Sequence, residues 1–135
     1  MIRNATESDR EHVIGLWEST GLTRPSHDTI EEFDSAINNV MSEIFVAEED
    51  YIIRGTAMCG FDGRRGWVYR LAVEPSSQAK GIGSALLAHC ESWLASIGAP
   101  KVMLMIREDN ARVKGFYEAA GYEDQETIVM GKVLK

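Results

Sequence analysis

The sequence contains few of the residues that mark secreted, metal-binding or membrane proteins. Only two of its 135 residues are cysteine, Cys59 and Cys90, and their spacing matches no zinc or redox motif. No apolar run approaches the roughly 20 residues that a membrane-spanning helix needs, and residues 1–10 are largely polar where a secretory signal is apolar. We therefore expect two buried core cysteines, no metal site and a cytoplasmic protein without a membrane partner.

The sequence also lacks an excess of positive charge. Fourteen Lys and Arg residues face 21 Asp and Glu residues, so the formal net charge is -7. This is the wrong sign for a protein that follows the phosphate backbone of a nucleic acid, and we expect no nucleic-acid partner. A chain of 135 residues with 44% hydrophobic and 26% charged residues is typical of one globular domain, which we place at residues 1–135.

The hydrophobic pattern predicts a mixture of helices and strands. Capping residues followed by apolar residues at helical spacing predict two helices before residue 41 and a longer helix over residues 81–97. Runs rich in β-branched and aromatic residues predict three consecutive antiparallel strands between residues 44 and 73, and a buried strand over residues 101–106. A helix over residues 110–120 follows, and residues 122–134 are predicted to form one or two final strands.

A loop that contains Gly81 and Gly83 joins the third predicted strand to the longest predicted helix. Glycine permits a left-handed backbone and a close approach of ligand atoms, while the first turn of a helix presents unpaired amides and the positive end of the helix dipole. The loop lacks the GK[ST] ending of a Walker loop and has Leu86 where a dinucleotide fingerprint has its third glycine. It is typical of a phosphate or pyrophosphate site, although close packing of a helix also explains such a loop.

The residues around this loop carry a resemblance to a known family. Leu71-x-Val73-x-Pro75 precedes Gln78-x-x-Gly81-x-Gly83, and Asn110, Tyr117 and Gly121-Tyr122 follow. This combination, over residues 66–122, resembles the acetyl-CoA motif of the GNAT N-acetyltransferase superfamily. The whole chain is most similar to short bacterial members near the ribosomal-protein N-terminal acetyltransferases. The resemblance implies an α/β (α+β) fold: a central mixed, mostly antiparallel twisted sheet with a splayed parallel pair in the middle, flanked by about four helices.

The resemblance further implies acetyl-CoA as co-substrate. The backbone of the strand would pair with the pantetheine amides, the loop amides would hold the pyrophosphate, and Lys80 would add positive charge. Asn110 matches a position that contacts the pantetheine arm, with a helix N-cap as its alternative role. The implied cofactor-binding residues are Leu71, Ala72, Val73, Gln78, Ala79, Lys80, Gly81, Ile82, Gly83, Ser84, Asn110 and Tyr117.

The reaction that the resemblance implies is direct attack of an amine on the thioester in a ternary complex. A backbone amide near Leu71 would stabilise the tetrahedral oxyanion, and Tyr117 occupies the position of the general acid that protonates the leaving thiolate. Packing on an amphipathic helix is the alternative role of Tyr117. The general base stays unassigned, with Glu74, Glu108 and Asp62 as candidates.

The acceptor is the least determined part of the prediction. The substrate-binding candidates are Trp17, Arg24, Asp62 and Arg70. An arginine can bind a carboxylate of the acceptor, whereas the acidic net charge favours a cationic amine. A small amine or amino acid-like acceptor is the first hypothesis. A peptide or protein N-terminus and a non-catalytic acetyl-CoA sensor are the alternatives, and a homodimer is compatible with the sequence.

Overall fold

A computed structural model of the chain describes residues 1–23 and 28–134, and the chain divides into two units, Met1–Met105 and Ile106–Lys135. Among the described residues, the first unit has one five-stranded sheet and three α-helices, and the second has one α-helix. A mixed sheet with four helices confirms the predicted fold class. The assignment of residues 1–135 to a single domain stays a prediction. Within the described residues, no helix is both long enough and apolar enough to span a membrane.

The sheet is a meander that ends in one parallel pair. Its strands are β1 (Ile2–Asn4), β2 (Ser42–Glu49), β3 (Ile52–Phe61), β4 (Gly66–Val73) and β5 (Val102–Leu104), and they lie in the order β1-β2-β3-β4-β5. Neighbouring strands are antiparallel except β4 and β5, which are parallel. Two short 3-10 helices, Glu7–Asp9 and Pro75–Ser77, complete the first unit.

The second unit differs from the prediction after its helix, α4 (Ala111–Ala119). The prediction of one or two strands over residues 122–134 is wrong, because residues 120–134 contain no strand. β-branched residues favour a strand only where a neighbouring strand pairs with them, and the apolar Ile128 and Val129 remain 85% and 69% exposed. The parallel pair therefore lies at the end of the described sheet.

Helices α1 (Arg10–Ser19) and α2 (Thr29–Asn38) cover one face of the sheet. Trp17 and Phe33, from these two helices, are fully buried in the same cluster as Ile44 of β2. As the sequence predicts, α2 begins after a capping aspartate. The carboxylate of Asp28 accepts a hydrogen bond from the Glu31 amide, with 3.0 Å between donor and acceptor.

Helix α3 (Ile82–Ser96) covers the other face. The ring of Phe45 meets His89 edge to face, with 4.5 Å between ring centroids. A Cβ at Gly66 would lie 2.9 Å from a methyl group of Leu94, so this glycine lets the helix approach β4 closely. Burial of both free cysteines confirms their prediction as core residues: Cys59 and Cys90.

Candidate active site

Strand β5 pairs with only the first three residues of β4. The ladder joins Gly66–Val68 to Val102–Leu104, and its last pair is Val68 with Leu104. Strand β4 continues to Val73, whereas β5 ends at Leu104. The edge of β4 that faces β5 is therefore left outside this ladder over residues 69–73. An extended ligand that offers amide groups can pair with such an edge.

A β-bulge lies within this unpaired stretch. Thr56 of β3 pairs with Ala72, but Met58 pairs with Tyr69, so two residues of β4 stand opposite one residue of β3. Arg70, the first of the two, has a left-handed backbone with φ of 49°. A bulge withdraws backbone groups from the ladder and re-aims them. Leu71, predicted to supply the oxyanion amide, is the second residue of this bulge.

The loop that follows β4 is built as the sequence predicts. Ala79 and Gly81 have left-handed φ values of 67° and 82°, and Gly81 is the N-cap of α3 without any side-chain cap. In a helix that begins at Ile82, the amides of the first turn have no acceptor within the helix, and the helix dipole adds positive potential there. This end of α3 is suited to an anion. The residues of the turn are at least partly exposed: Ala79, Lys80, Gly81, Ile82, Gly83 and Ser84.

Gln78 has an intramolecular partner in this loop. Its side-chain amide donates a hydrogen bond of 3.1 Å to the carbonyl of Val73, the last residue of β4. The contact ties the start of the loop to the strand end. Gln78 therefore shapes the loop through its side chain, whichever ligand its backbone meets.

The guanidinium of Arg70 is committed to partners within the chain. It donates to Glu32 of α2 from Nη2 at 2.6 Å and from Nε at 3.0 Å, and it donates to the carbonyl of Leu22 from Nη1. The same group lies 4.8 Å from the centroid of the Trp17 ring, within the range of a cation–π contact. These contacts give Arg70 a structural role within the chain, and its role as a ligand for a substrate carboxylate stays a prediction. Arg70 connects the bulge to both helices that cover this face.

The other predicted acceptor residues are Trp17, Arg24 and Asp62. Trp17 has no exposed surface, so it supports Arg70 from within the core and presents no face to a substrate. Arg24 lies outside the described residues. Asp62 forms the turn between β3 and β4, because its carboxylate accepts hydrogen bonds from the amides of Arg64 and Arg65, both at 2.8 Å.

The candidate bases lie in different parts of the chain. The hydroxyl of Ser76 donates to the Glu74 carboxylate, and this bond and the nearby Arg54 guanidinium lower the pKa of Glu74. A carboxylate with a lowered pKa is a weaker base. Hydrogen bonds from the turn amides lower the pKa of Asp62 to about 2. Glu108 is exposed in the second unit.

The second unit holds the remaining predicted residues, Asn110 and Tyr117. Asn110 is the N-cap of α4, where its side-chain oxygen accepts a hydrogen bond of 3.2 Å from the Val113 amide. Tyr117 is buried, and its ring meets those of Phe116 and Tyr122 at centroid distances of 5.1 and 5.7 Å. The packing role that the sequence allows for Tyr117 is therefore present, and it is compatible with a hydroxyl used in catalysis.

Sequence reasoning missed two aromatic residues of β4. Trp67 and Tyr69 stack with 6.3 Å between ring centroids and 11° between ring planes. The indole N–H of Trp67 donates to the Asp62 carboxylate at 3.0 Å. Their spacing was the available signal, since residues two apart on a strand project from the same face.

Comparison with known proteins identifies the family. The family model described as "Acetyltransferase (GNAT) family" matches residues 8–122. The chain belongs to the GNAT acetyltransferase family. An acetyltransferase of Yersinia enterocolitica and one of Yersinia pseudotuberculosis are each 41% identical to it over 133 residues, which are 98% of this chain and 94% of the relative.

Solved structures with the GNAT fold are similar to this chain over nearly its whole length. AAC(6')-Iy in complex with a bisubstrate analogue has a TM-score of 0.86 at 17% identity, covering 100% of this chain and 98% of that chain. A protein of Clostridium acetobutylicum described as a predicted acetyltransferase, solved with acetyl-CoA, has a TM-score of 0.81 at 19% identity, covering 98% and 95%. The predicted enzyme class, a GNAT acyltransferase that uses acetyl-CoA as co-substrate, is confirmed.

Proposed function

We propose that this GNAT enzyme transfers the acetyl group of acetyl-CoA to a primary amine of a small molecule, by direct attack in a ternary complex. The observation that carries the proposal is the unpaired, bulged half of β4, which leads directly into the glycine loop and the N-terminus of α3. An extended pantetheine arm matches the strand edge, and a pyrophosphate matches the helix end.

In this proposal the backbone holds the co-substrate. Leu71 and Val73 offer amides and carbonyls to the pantetheine arm at the open edge, while Ala72 between them pairs with Thr56 of β3. The amides of residues 78–84 surround the pyrophosphate. Lys80 is exposed beside this turn and adds positive charge. For Asn110 the proposal keeps the contact with the pantetheine arm that the family resemblance implies, and it keeps residues 1–135 as a single domain.

The chemical step needs one oxyanion donor and one acid. The neutral amine attacks the thioester carbonyl, a C–N bond forms, and the backbone amide at Leu71 donates to the oxyanion. As the C–S bond breaks, Tyr117 gives its proton to the departing sulfur: a phenol of pKa about 10 is protonated at pH 7 and available as the acid, and the thiol that forms has a pKa of about 8.5. The proton that the amine nitrogen loses passes through water to the phenolate, which restores the neutral Tyr117 side chain and leaves no net charge.

The class of acceptor is also part of the proposal. AAC(6')-Iy, which has the same fold, is described as an aminoglycoside N-acetyltransferase, and this supports a small-molecule amine. A peptide or protein N-terminus and a role as a sensor are the competing outcomes. A cytoplasmic location and a homodimer stay predictions.

The first test is release of CoA thiol in the presence of acetyl-CoA and a panel of amines, amino acids, aminoglycosides and short peptides. Turnover of small amines supports the proposal, and turnover of peptides alone assigns the acceptor to a polypeptide N-terminus. If acetyl-CoA binds but no member of the panel causes release of CoA thiol, the result contradicts the proposed catalysis and favours a non-catalytic acetyl-CoA sensor.

The role of Tyr117 is tested by Tyr117→Phe. We expect kcat to fall by about 10²- to 10⁴-fold while the Kd for acetyl-CoA, measured by calorimetry, stays the same, because only the proton donor is removed. Tyr51→Phe is the matched control, since Tyr51 is 96% exposed on the β2–β3 turn. A kcat for Tyr117→Phe close to that of the control would exclude Tyr117 as the acid.

A further inference from the structure

The aromatic pair of β4 lies on the face of the sheet that α1 and α2 cover, but beyond the part that they bury. Tyr69 stands opposite Met58, and Met58 packs against the core beneath these helices. Tyr69 is nevertheless 36% exposed, and Met41 next to it is 39% exposed. The stacked rings of Trp67 and Tyr69 thus form an aromatic floor that is open to solvent.

A shallow groove runs over this floor. Its volume is about 200 Å³, and its lining includes Met41, Phe61, Asp62, Trp67 and Tyr69. This is smaller than the roughly 300 to 1,000 Å³ of sites that enclose a whole drug-sized ligand. The groove therefore fits one end of a ligand whose other end lies elsewhere on the protein.

The charge of the groove favours a cation. Among its lining residues Asp62 is charged and none is cationic. Hydrogen bonds from two turn amides and from the Trp67 indole keep the carboxylate ionised. The guanidinium groups of Arg64 and Arg65 belong to the same turn and oppose this preference, but neither residue lines the groove. The faces of tryptophan and tyrosine rings attract an ammonium group, and the net charge of -7 adds to this attraction.

The groove lies along β4 from the proposed reaction centre. At about 3.3 Å per extended residue, and with the bulge at Arg70 shortening the path, Leu71 lies at most about 7 Å from Tyr69 and at most about 13 Å from Trp67 along the strand. A ligand with two amines separated by such a distance can place one at the bulge and the other on the aromatic floor.

We propose that the groove formed by Trp67, Tyr69 and Asp62 binds the distal ammonium of an elongated diamine-like acceptor, whose other amine is acetylated at the Leu71 bulge. This inference rests on the proposed function and specifies its acceptor class. According to this inference, the enzyme selects its acceptor by the length of the acceptor chain and by a second positive charge, and not by a carboxylate.

The kinetic test compares diaminoalkanes, from diaminoethane to diaminodecane, with monoamines of equal length at saturating acetyl-CoA. We expect kcat/KM to favour the diamine over its matched monoamine by about 5- to 30-fold once the chain is long enough to reach the aromatic floor. Trp67→Leu and Tyr69→Leu reduce this ratio towards one. Tyr51→Leu removes an exposed aromatic ring elsewhere and keeps the ratio.

A binding measurement separates this inference from the proposed function. The indole N–H resonance of Trp67, assigned through Trp67→Leu, is followed by NMR while diaminooctane or octylamine is added. The inference predicts that the diamine shifts this resonance more than octylamine does, with little change at Trp17 and Trp93. Equal shifts of the Trp67 resonance by the two ligands, or turnover without any preference for diamines, would contradict the proposed binding of a distal ammonium in the groove. Absence of all turnover contradicts only the proposed function, because the NMR result still shows whether the groove binds the diamine.

Discussion

The two halves of strand β4 differ in the chemical groups that they offer to a ligand. The carboxyl half, with the loop into α3, offers backbone groups: an unpaired edge, a bulge at Arg70 and the amides of the first turn of α3. The amino half offers side chains, the stacked Trp67 and Tyr69 beside Asp62. In our proposal the backbone groups of the carboxyl half bind acetyl-CoA, the co-substrate. The side chains of the amino half bind the acceptor and thereby determine specificity.

The largest expected effect comes from closing the backbone site with Gly83→Glu. A carboxylate in the first turn of α3 repels the pyrophosphate and fills the space that its oxygens approach, so the Kd for acetyl-CoA should rise at least about 100-fold. Calorimetry measures this change.

Gly15→Glu is the matched control for that experiment. Gly15 is an exposed helical glycine of α1, and a Cβ there meets nothing within 4 Å. The same added charge should leave the Kd unchanged. Equal losses in both variants would show that net charge, rather than the loop, determines affinity.

The next effect concerns the residue that joins the two halves, Arg70. We expect Arg70→Ala to lower kcat/KM by about tenfold, because the bulge loses its anchor to Glu32 and a small misplacement of reacting groups slows the reaction. Urea unfolding should show a loss of about 1 to 3 kcal/mol.

Two further variants decide whether Arg70 positions the site or only stabilises the fold. Arg10→Ala breaks the Arg10–Asp34 ion pair between α1 and α2, and should cost stability of up to about 1 kcal/mol without a change in turnover. Arg70→Lys keeps the charge but not the geometry of a guanidinium, and should recover stability more than kcat. If activity follows stability in all three variants, Arg70 has no positioning role.

A smaller effect is expected at Asp62. Asp62→Ala removes acceptors for the turn amides and for the Trp67 indole, so kcat/KM for a long diamine should fall a few-fold while the Kd for acetyl-CoA stays constant. Asp62→Asn keeps an acceptor for the turn but loses the charge, and separates the two contributions.

The pH dependence of this contribution has a definite sign. Because the pKa of Asp62 is lowered to about 2, its carboxylate stays charged at all pH values above about 4. The preference for long diamines should therefore not weaken between neutral pH and pH ~5. A loss of preference in that range would assign the charge to another group.

The smallest effect on activity is expected outside β4, at the Arg3–Asp9 ion pair. Hydrogen bonds from Arg3 lower the pKa of Asp9 to about 2, so folding favours its ionised form. The stabilisation is complete above the unfolded pKa of about 4 and is lost as the pH falls towards 2. Asp9→Asn should lower stability by about 2 kcal/mol at pH 7 and by much less near pH 2, with kcat unchanged. A difference that is independent of pH would contradict this cause.

The sequence predicted the features that local geometry determines. Gly81 has the left-handed backbone that favours glycine, and the capping role of Asn110 follows from its place before a helix. The ligand contacts of the glycine loop stay a prediction. The antiparallel strands β2, β3 and β4 and helix α3 were also predictable from the hydrophobic pattern.

Long-range contacts could not be predicted from the sequence. Arg70 and its partner Glu32 are 38 positions apart, and only the packing of α2 on the sheet brings them together. The complete burial of Trp17 is a second example, because it depends on how α1 packs against α2 and β4. The final strands were predicted from composition, but a strand also requires a partner, which composition does not provide.

Amide hydrogen exchange with and without acetyl-CoA tests the division of β4 most directly. The division predicts added protection at residues 71–73 and 78–84, where the backbone meets the co-substrate, and none at residues 66–69. Protection over residues 66–69 without any at the loop would contradict it, since acetyl-CoA would then occupy the half that we assign to the acceptor.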